Sequence, residues 1–414
     1  MKKLLCIMLA LLMVLAVAAC TAKPAEPDKP AENTTPKADE PVVPDEPVTP
    51  NEPVEAEGIS SYYTDNPLYE VVNAEGTKSL DDYYAQFDVE CEMGIRSDGP
   101  DLYWHGRNKV DLPTPAKQYK IGFSVYYTVD EVGAMYLEGM KDAAAEAGIE
   151  LLINDANYDQ NLQNQAIEQW ILEGVDAVIM TACDFYGCKG ALDDLHAAGI
   201  PVITLDAPPC AGEVDCVVMY DCVEQGREAG EALEKYLLEN GSDMNGTIYY
   251  GTLPFIHPNA VTREYGFKQV FEKYPNVTVK ALTGEEPEDH YTAFEGIMQG
   301  DDSIIGLWGL YSSATWGIMQ AVENGGYPYP LTSVDNDRVI LEGIYNGKIL
   351  GSDCYGAVEG SRLALAATIL LLNGEKVPAI IYQGNTFVDK TNVEAAFEEY
   401  YNGATLADYM AGNH

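Results

Sequence analysis

The sequence predicts an α/β protein with two lobes, each built on a doubly wound parallel sheet, joined by a hinge that the chain crosses several times. Two observations support this prediction. Short apolar runs alternate with amphipathic segments from Tyr119 onward, and the same alternation starts again after Asp221. The residues after Gly58 are also too many for one compact core and suit two lobes of ordinary size.

The first lobe begins with apolar strands that alternate with helices. Its strands are continuous apolar runs, as expected of strands covered on both faces, and Gly148, Gly174 and Gly199 are positioned to end helices. This order predicts parallel strands joined by right-handed crossovers. The segments are KIGFSV, EVGAMYLEGMKDAAAEAG, ELLIND, NLQNQAIEQWILEG, DAVIMT, CKGALDDLHAAG and IPVITLD.

The second lobe repeats this pattern from CVEQGREAGEALEKYLLEN to LTSVDND. The later segment EGSRLALAATILLLNG predicts a helix that returns to the first lobe. Its apolar run from Leu363 to Leu372 is too short to span a membrane and predicts a core helix. We therefore assign residues 118–221 and 356–384 to the N-terminal lobe, and residues 222–355 and 385–414 to the C-terminal lobe.

Residues 1–19 have the features of an export signal: two lysines, an apolar run from Leu4 to Val17, and small residues before Cys20. Val17-Ala18-Ala19-Cys20 resembles the cleavage motif of bacterial lipoproteins, which implies that Cys20 carries a lipid. The protein would then work on the outer face of the cell membrane. The alternatives are a transmembrane anchor or a plain secretory peptide, but the run is short of the roughly 20 residues that a spanning helix prefers.

Two segments separate the leader from the lobes. Residues 20–57 are rich in Pro and Glu and are expected to form a disordered tether, because they have little apolar surface to bury. Proline keeps such a tether extended. Residues 58–117 are rich in Tyr, Asp and Gly and are expected to be an accessory segment packed on the main fold. Their aromatic side chains could instead form a surface for a partner.

Charge and cysteine content exclude several classes of protein. The formal net charge of -42 argues against nucleic acid as a partner, since duplex binding depends on basic residues that neutralise phosphates.

The seven cysteines after Cys20 could include a disulfide between Cys210 and Cys216, or all be small buried thiols. The sequence has no CxxC pair, HExxH motif or His-rich cluster, so we predict no metal and no cofactor.

Four stretches carry a family resemblance: AAAEAGIELLIND, QAIEQWILEGVDAVIMTACD, AGIPVITLD and HPNAVTREYGF. On these, the chain from Tyr119 to about Phe387 resembles the type I periplasmic sugar-binding proteins, the ribose-, galactose- and xylose-binding group that serves ABC importers. The resemblance implies a monomer that captures a sugar between its lobes and delivers it to an ABC permease. It implies no catalytic residue.

Asp206 ends the strand of IPVITLD, at the carboxyl edge where open parallel sheets bind ligands. The corresponding family residue bonds sugar hydroxyls, a task that suits a carboxylate because it accepts several hydrogen bonds. A cap in the following loop is the alternative role. Ala207 stands where the ribose-binding branch has Arg, which weakens the case for ribose itself.

The segment HPNAVTR resembles the His-Pro-Asp-x-x-x-Arg turn of galactose-binding proteins. His257, Asn259 and Arg263 could converge on a ligand, since they combine an imidazole, an amide and a guanidinium fork. Alternatively, Asn259 caps its helix and Arg263 pairs with one of the many acidic residues. Asn259 replaces the family's Asp, which alters the preference for hydroxyl groups.

The resemblance places three further residues in the cleft. Asp130 stands at the start of the first helix, where galactose binders have Asp and ribose binders have Asn. Capping that helix is its alternative role. Asp335, in LTSVDND, matches a family Asp that binds a hydroxyl group. Tyr355 aligns near a hinge residue that is often Gln or Asn.

A stacking ring is also expected, because an aromatic face covers the apolar face of a pyranose. The family usually offers a Phe beside Asp130, where this chain has Val132 and Gly133. The ring must then come from elsewhere, and each candidate could equally be a core residue. The candidates are Tyr126, Tyr127, Trp308, Tyr311 and Trp316.

Two other functions are weighed against sugar transport. The same binding fold could present its closed form to a membrane sensor kinase or chemoreceptor, or bind a solute that is not a sugar. An enzyme is disfavoured, because GxSxG, GxGxxG and a Walker A loop are all missing from the sequence. The leader and the lack of a helix-turn-helix segment exclude a cytosolic repressor.

Overall fold

A computed structural model describes residues 59–106 and 110–412. Within these ranges, none of the helices combines the length and apolar character needed to cross a membrane. Our predictions for the leader, for lipidation of Cys20 and for the tether concern residues outside the described ranges. The structure therefore bears on the lobes and on the segment that precedes them.

The strands carry most of the topology. In chain order they are β1 (Tyr69–Asn73), β2 (Glu92–Ile95), β3 (Asp101–Trp104), β4 (Lys120–Val125), β5 (Glu150–Asp155), β6 (Ala177–Met180), β7 (Val202–Leu205), β8 (Ala211–Val214), β9 (Cys216–Tyr220), β10 (Gly246–Thr252), β11 (Val277–Thr283), β12 (Ile304–Gly309), β13 (Leu331–Val334), β14 (Gly351–Tyr355), β15 (Ile380–Gln383) and β16 (Asn385–Asp389).

Helices connect these strands and cover the sheets. They are α1 (Ser61–Thr64), α2 (Asp81–Ala85), α3 (Glu131–Ala147), α4 (Gln160–Glu173), α5 (Lys189–Ala197), α6 (Cys222–Glu239), α7 (Pro258–Phe271), α8 (Pro287–Met298), α9 (Ser312–Gly325), α10 (Arg338–Tyr345), α11 (Ala357–Leu372), α12 (Val393–Tyr400) and α13 (Leu406–Met410).

Each lobe is built on one large sheet. The first has the strand order β1-β3-β15-β9-β7-β6-β4-β5, and the second has the order β11-β10-β12-β13-β14-β16. All neighbours are parallel except β1 with β3 and β14 with β16. The predicted α/β fold with mostly parallel sheets is therefore confirmed.

The chain passes between the two sheets at three places within the described residues. It leaves the first sheet after β9 at Asp221, returns after β14 at Gly356, and leaves again after β15 at Gly384. Two of these passages lie against each other, since Asn385 Nδ2 donates to Asp221 O at 3.1 Å. Side-by-side crossings of this kind are typical of a hinge between two lobes.

The segment before the first lobe contributes strands to the sheets rather than only packing on their surface. β3 runs parallel to β15, and β2 runs parallel to β8 in a separate two-stranded sheet. Without β3, the strand β15 would be an edge with unpaired backbone groups on one side. Trp104 anchors this addition, because it is buried and its Nε1 donates to Glu359 Oε1 at 2.5 Å.

Helix α11 is a core helix, as its apolar run predicts. Leu363, Leu365, Ile369 and Leu370 are all buried, and the helix packs on α3 and on β7 and β9. The predicted ends of two other helices are also confirmed. Gly148 and Gly174 end α3 and α4 in the left-handed conformation, with φ of 68° and 67°, which glycine adopts without a Cβ penalty.

Helix α7 lies unusually close to α6, and two glycines permit this approach. A Cβ at Gly226 would overlap the carbonyl oxygen of Arg263, and a Cβ at Gly266 would overlap that of Val223. The helix begins at Pro258, with His257 as its N-cap, and proline suits the first helical position because its missing N–H needs no partner there. The residues of HPNAVTR thus gain a fixed position beside α6.

Candidate ligand-binding site

The site forms where the loops after the parallel strands of both sheets face each other. Asp206 follows β7 and Asp335 follows β13, and both have left-handed backbone, with φ of 74° and 79°. This conformation is uncommon for any residue with a Cβ, although Asp tolerates it better than most. Each backbone is held by its sheet: Asp206 N donates to Val218 O at 3.0 Å, and Asp335 N donates to Asp353 O at 2.9 Å.

Arg263 is the central cation of the site. Its side chain is buried, and its guanidinium contacts three acceptors: Nε donates to Gln225 Oε1 at 2.8 Å, Nη1 to Leu310 O at 3.2 Å, and Nη2 lies 3.2 Å from Asp335 Oδ1. The guanidinium also lies 5.9 Å from the centre of the Tyr355 ring. Burial of Arg263 opposes its charge, but the nearby carboxylate of Asp335 raises the pKa of Arg263, so the arginine is charged.

Asn259 joins the two lobes. Its Nδ2 donates to Asp206 Oδ1 at 2.8 Å, so a residue of α7 in the second lobe contacts the loop after β7 in the first. His257 has the capping role that we weighed for Asn259, because its Nδ1 accepts from the Asn259 backbone N–H at 3.2 Å. Burial, with a further contribution from Arg263, lowers the pKa of His257 to about 3, so its imidazole is neutral.

Two carboxyl groups of the site have pKa values above the usual range for an aspartate. Burial raises the pKa of Asp206 to about 7; the charge of Arg263 opposes this shift and that of Asp335 adds to it. Burial also raises the pKa of Asp130 to about 6. Asp130 caps α3, since its Oδ1 accepts from Gly133 N at 2.6 Å. Carboxyl groups crowded around one arginine favour a ligand that donates hydrogen bonds.

Two consecutive buried side chains that follow β13 keep hydrogen-bonding capacity. Among the described residues, Asn336 finds no partner for either its Nδ2 or its Oδ1, and Asp335 Oδ1 is in ion-pair contact with Arg263 without a directed hydrogen bond. Buried polar groups are normally paired, because an unpaired one costs desolvation energy. Asn336 was not predicted from the sequence, although it directly follows a predicted site residue.

Tyrosines form an aromatic wall beside the aspartates. The rings of Tyr355 and Tyr220 lie 4.0 Å apart at an angle of 37°, and the Tyr220 hydroxyl is hydrogen-bonded to that of Tyr136. Tyr126 and Tyr127 contact the ring of Tyr158 at 5.2 and 4.9 Å. Burial raises the pKa of Tyr126, and the charges of Asp130 and Asp206 add to this shift.

Three members of this wall were missed in the sequence: Tyr136, Tyr158 and Tyr220. Tyr220 ends β9 and Tyr158 lies in the loop after β5, so both follow the strand-end rule by which we selected Asp206. Tyr136 lies inside α3 and gives no such signal. Tyr158 is 60% exposed and has left-handed backbone, with φ of 55°.

Other candidate rings do not join this group. The Tyr311 hydroxyl donates to Gly284 O at 2.7 Å and lies 2.7 Å from His290 Nε2, so it is directed to the connection before α8. Trp308 is fully buried and stacks on Phe267 at 4.1 Å, which makes it a core residue. Trp316 is partly exposed on α9.

A second contact between the lobes lies near Asp130. Glu131, in the first turn of α3, accepts at Oε2 from the backbone N–H of Arg338 at 2.9 Å, and its Oε1 lies 3.2 Å from Arg338 Nη1. The Tyr401 hydroxyl donates to Glu131 Oε2 at 2.7 Å, and the Arg338 guanidinium lies 4.2 Å from the centre of the Tyr401 ring. We call Glu131, Arg338 and Tyr401 the latch.

Neither a metal site nor a formed disulfide is present among residues 59–106 and 110–412. No group of three or more His, Cys, Asp or Glu side chains in these ranges could hold a metal ion. The cysteines there are free thiols, so the Cys210–Cys216 disulfide that the sequence left open is not formed.

Comparisons with known proteins agree with this architecture. The family model of the periplasmic binding protein domain matches residues 121–376. The ribose import binding protein of Bacillus subtilis is 24% identical over 267 residues, which cover 64% of this chain and 85% of that protein. The xylitol-binding protein of Mycolicibacterium smegmatis is 25% identical over 269 residues, which cover 63% of this chain and 74% of that protein.

A solved structure from Mycobacterium smegmatis, in complex with β-D-fucofuranose, superposes with a TM-score of 0.63 at 23% identity, covering 72% of this chain and 99% of that one. Another, from Actinobacillus succinogenes with bound D-allose, gives a TM-score of 0.62 at 20% identity, covering 67% of this chain and all of that one (100%). These likenesses show the fold. With the family match, they establish that the chain belongs to the type I periplasmic binding protein family.

Proposed function

We propose that this chain is an extracytoplasmic, lipid-anchored receptor that binds a neutral mono- or disaccharide between its lobes and delivers it to the permease of an ABC transporter. One observation carries the proposal: Asp206, Asn259, Arg263 and Asp335 meet between the two sheets, beside tyrosine rings. The proposal needs no catalytic step, because capture and release of the solute are sufficient.

The chemistry of the site suits a polyol. Carboxylates accept hydrogen bonds from neighbouring hydroxyl groups, the amide of Asn259 both donates and accepts, and tyrosine faces cover the apolar side of a sugar ring. The relatives named for ribose and xylitol, and the neighbours solved with furanose and pyranose sugars, support the same class of ligand. A cationic solute is the competing ligand, since the candidate site contains three carboxyl groups, Asp130, Asp206 and Asp335, and one arginine.

Contacts between the lobes support capture by closure. Asn259 with Asp206, and Glu131 with Arg338, hold the lobes together, and a ligand bound between them would add to these contacts. Micromolar affinity corresponds to about -8 kcal/mol, which is enough to make a modestly unfavourable closed state dominant. The leader and the tether, proposed from sequence, would keep this receptor near its permease.

The ligand is tested with the soluble chain from Thr21 onward. Melting temperature is measured against a panel of pentoses, hexoses, polyols and disaccharides, because a ligand that binds the native state raises it. We expect one sugar to raise the melting temperature, and calorimetry then gives its affinity. The absence of a shift across the whole panel would contradict the sugar assignment, and panels of amino acids, nucleosides and polyamines would follow.

Asp206→Ala tests the place of binding. Loss of charge-assisted hydrogen bonds of about 1.5 to 3 kcal/mol predicts an affinity about 10 to 150 times weaker. The variant should remain folded, because burial of the Asp206 carboxyl group costs stability in the native protein, and its removal relieves that cost. Asp193→Ala is the matched control, since Asp193 is exposed on α5 and pairs with Lys189. Unchanged affinity in Asp206→Ala would place the ligand elsewhere.

Cys20→Ser tests the anchor. If Cys20 carries the lipid, this variant leaves the membrane fraction of the exporting cell and enters the soluble extracytoplasmic fraction. Cys6→Ser is the control, because Cys6 lies within the leader that is removed. Equal membrane retention of both variants would remove lipidation from the proposal.

A further inference from the structure

Two cysteines lie side by side where the N-terminal segment joins the first lobe, outside the ligand site. In the small sheet, Glu92 of β2 is opposite Ala211 of β8, and Glu92 N donates to Cys210 O at 2.8 Å. The parallel register therefore sets Cys91 beside Cys210. Neighbouring strands lie about 4.8 Å apart, which is within the range of about 4.4 to 6.8 Å between the Cα atoms of a disulfide.

The two thiols interact directly and are shielded from solvent. Cys91 is 8% exposed and Cys210 is 1% exposed. A hydrogen bond between the thiols lowers the pKa of Cys91 and raises that of Cys210. Cys91 is thus both the more accessible of the two and the one that ionises more readily, which are the properties of an attacking thiol.

We propose that Cys91 and Cys210 form a redox pair that closes to a disulfide outside the cytoplasm. The oxidant is a disulfide, either of a small thiol such as glutathione or of a thiol–disulfide oxidoreductase. The Cys91 thiolate attacks one sulfur of this oxidant, forms a mixed disulfide and releases one thiolate. The Cys210 thiol then loses its proton, and its sulfur attacks Cys91 Sγ and displaces the second thiolate. Two protein thiols are oxidised, one disulfide is reduced to two thiols, and the two protons pass to the released thiolates.

The bond would fasten the N-terminal segment to the loop that carries a ligand residue. Cys210 lies four positions after Asp206 in DAPPC, and its backbone N–H donates to Phe185 O at 2.7 Å. Phe185 in turn contacts His257 with ring centres 4.8 Å apart. A bond between Cys91 and Cys210 also closes a long loop, and long loops restrict the unfolded chain most. Oxidation should therefore stabilise the lobe without adding a ligand contact.

The other cysteines provide a matched control. Cys216 is equally buried on β9, in the neighbouring part of the same lobe, but burial and the charges of Asp215 and Asp101 raise its pKa. It is therefore a poor nucleophile. Cys216→Ala should leave formation of the Cys91–Cys210 bond unchanged, whereas Cys91→Ala and Cys210→Ala should each abolish it.

The experiment uses the chain from Thr21 onward, equilibrated at graded ratios of reduced to oxidised glutathione. The samples are quenched with acid, unfolded in denaturant at neutral pH with an excess of alkylating reagent, and mapped by mass spectrometry. Melting temperatures are measured in parallel on unquenched samples. We expect the number of alkylated cysteines to fall by two in oxidising buffer, with a cross-linked peptide that contains Cys91 and Cys210. We also expect reduction to lower the melting temperature of the native chain but not that of Cys91→Ala.

Two results would overturn the proposal. One is full alkylation of every cysteine at the most oxidising ratio, and the other is a cross-link that joins a different pair. Both results are measured on the chain without substitutions, so neither depends on whether a variant folds. The proposal requires export of the chain, but its test is independent of the solute, and failure of the sugar panel would not affect it.

Discussion

Asp206 and Asp335 occupy the same topological position in the two lobes. The orders β5-β4-β6-β7-β9 and β11-β10-β12-β13-β14 correspond strand for strand, and each aspartate comes directly after the fourth strand of its series, β7 or β13. Both have left-handed backbone, with φ of 74° and 79°. Strained backbone of this kind is often retained where a side chain must be aimed at a ligand. Each lobe thus supplies one carboxylate from the same loop.

The pH dependence of binding should follow from the raised pKa of two carboxyl groups, about 7 for Asp206 and about 6 for Asp130. A sugar hydroxyl donates to the ionised form, so affinity should rise as pH increases from 5 to 8 and then level off. Calorimetry in buffers of different ionisation enthalpy should detect protons released on binding. A flat profile, or tighter binding at pH 5, would contradict this prediction.

The stability of the ligand-free protein should respond to pH with the opposite sign. The folded-state pKa of Asp206 lies above its usual value near 3.8, so the folded state holds the proton more tightly than the unfolded state. The free energy of unfolding from this group therefore falls as pH rises from about 4 to about 7. Urea unfolding of the native chain and of Asp206→Asn across this range isolates the effect, because the variant lacks it.

Removal of Arg263 should destabilise the protein more than removal of both members of its ion pair. Arg263→Met leaves Asp335 buried without its cation, which costs about 3 to 5 kcal/mol. The double variant Arg263→Met with Asp335→Asn should recover a substantial part of that loss. Urea denaturation of the single and double variants measures the coupling. If the two substitutions cause additive losses of stability, Arg263 and Asp335 contribute independently, which would contradict this prediction.

Loss of the latch should weaken ligand binding, although the latch residues are not expected to contact the ligand. Arg338→Ala removes the ion pair with Glu131 and the contact with the Tyr401 ring. A partly exposed pair of this kind contributes about 1 kcal/mol, so the closed state should become about fivefold less populated and the Kd should rise by a similar factor. Small-angle scattering at a fixed, subsaturating ligand concentration should report a larger radius of gyration for Arg338→Ala than for the native chain.

Lys273→Ala is the control for the latch, because it removes one positive charge from the same lobe as Arg338. Lys273 is exposed and lies outside the latch. If both variants change the Kd equally, the effect reflects the net charge of the lobe rather than the contact between lobes.

The close approach of α6 and α7 should be sensitive to a single methyl group. Gly266→Ala places a Cβ against the carbonyl oxygen of Val223, so α7 must move and carry Asn259 and Arg263 with it. We expect a loss of stability of about 1 to 3 kcal/mol together with weaker ligand binding. Gly296→Ala is the control, because its Cβ meets open space on α8, and it should stabilise the protein by up to about 1 kcal/mol.

The alternation of strands and helices was enough to predict both sheets, because buried parallel strands are continuous apolar runs and helices keep their own period. The same strand-end rule indicated Asp206 and Asp335, and the HPNAVTR motif indicated Arg263. The insertion of β3 beside β15 could not be predicted in this way. Short strands far apart in sequence pair through backbone groups, and these leave little signal in the side chains.

The aromatic wall was predicted less well than the charged residues for a related reason. A tyrosine serves equally as a core residue and as a ligand platform, so sequence alone did not separate Tyr355 from Trp308. Tyr136 contributes to the site from inside a helix, and its role depends on the hydroxyl contact with Tyr220, a residue on another element. Roles of this kind arise from tertiary packing.

The pairing of β3 with β15 also bears on how the polypeptide acquires its structure. Leu102 is opposite Ile381, so the first strands made by the ribosome find their place in the sheet only after almost the whole chain has been synthesised. Contacts so distant in sequence slow folding, because a large loop must close before they form. A chain that completes its first lobe last would remain unfolded for longer. Proteins pass through a secretion channel in the unfolded state.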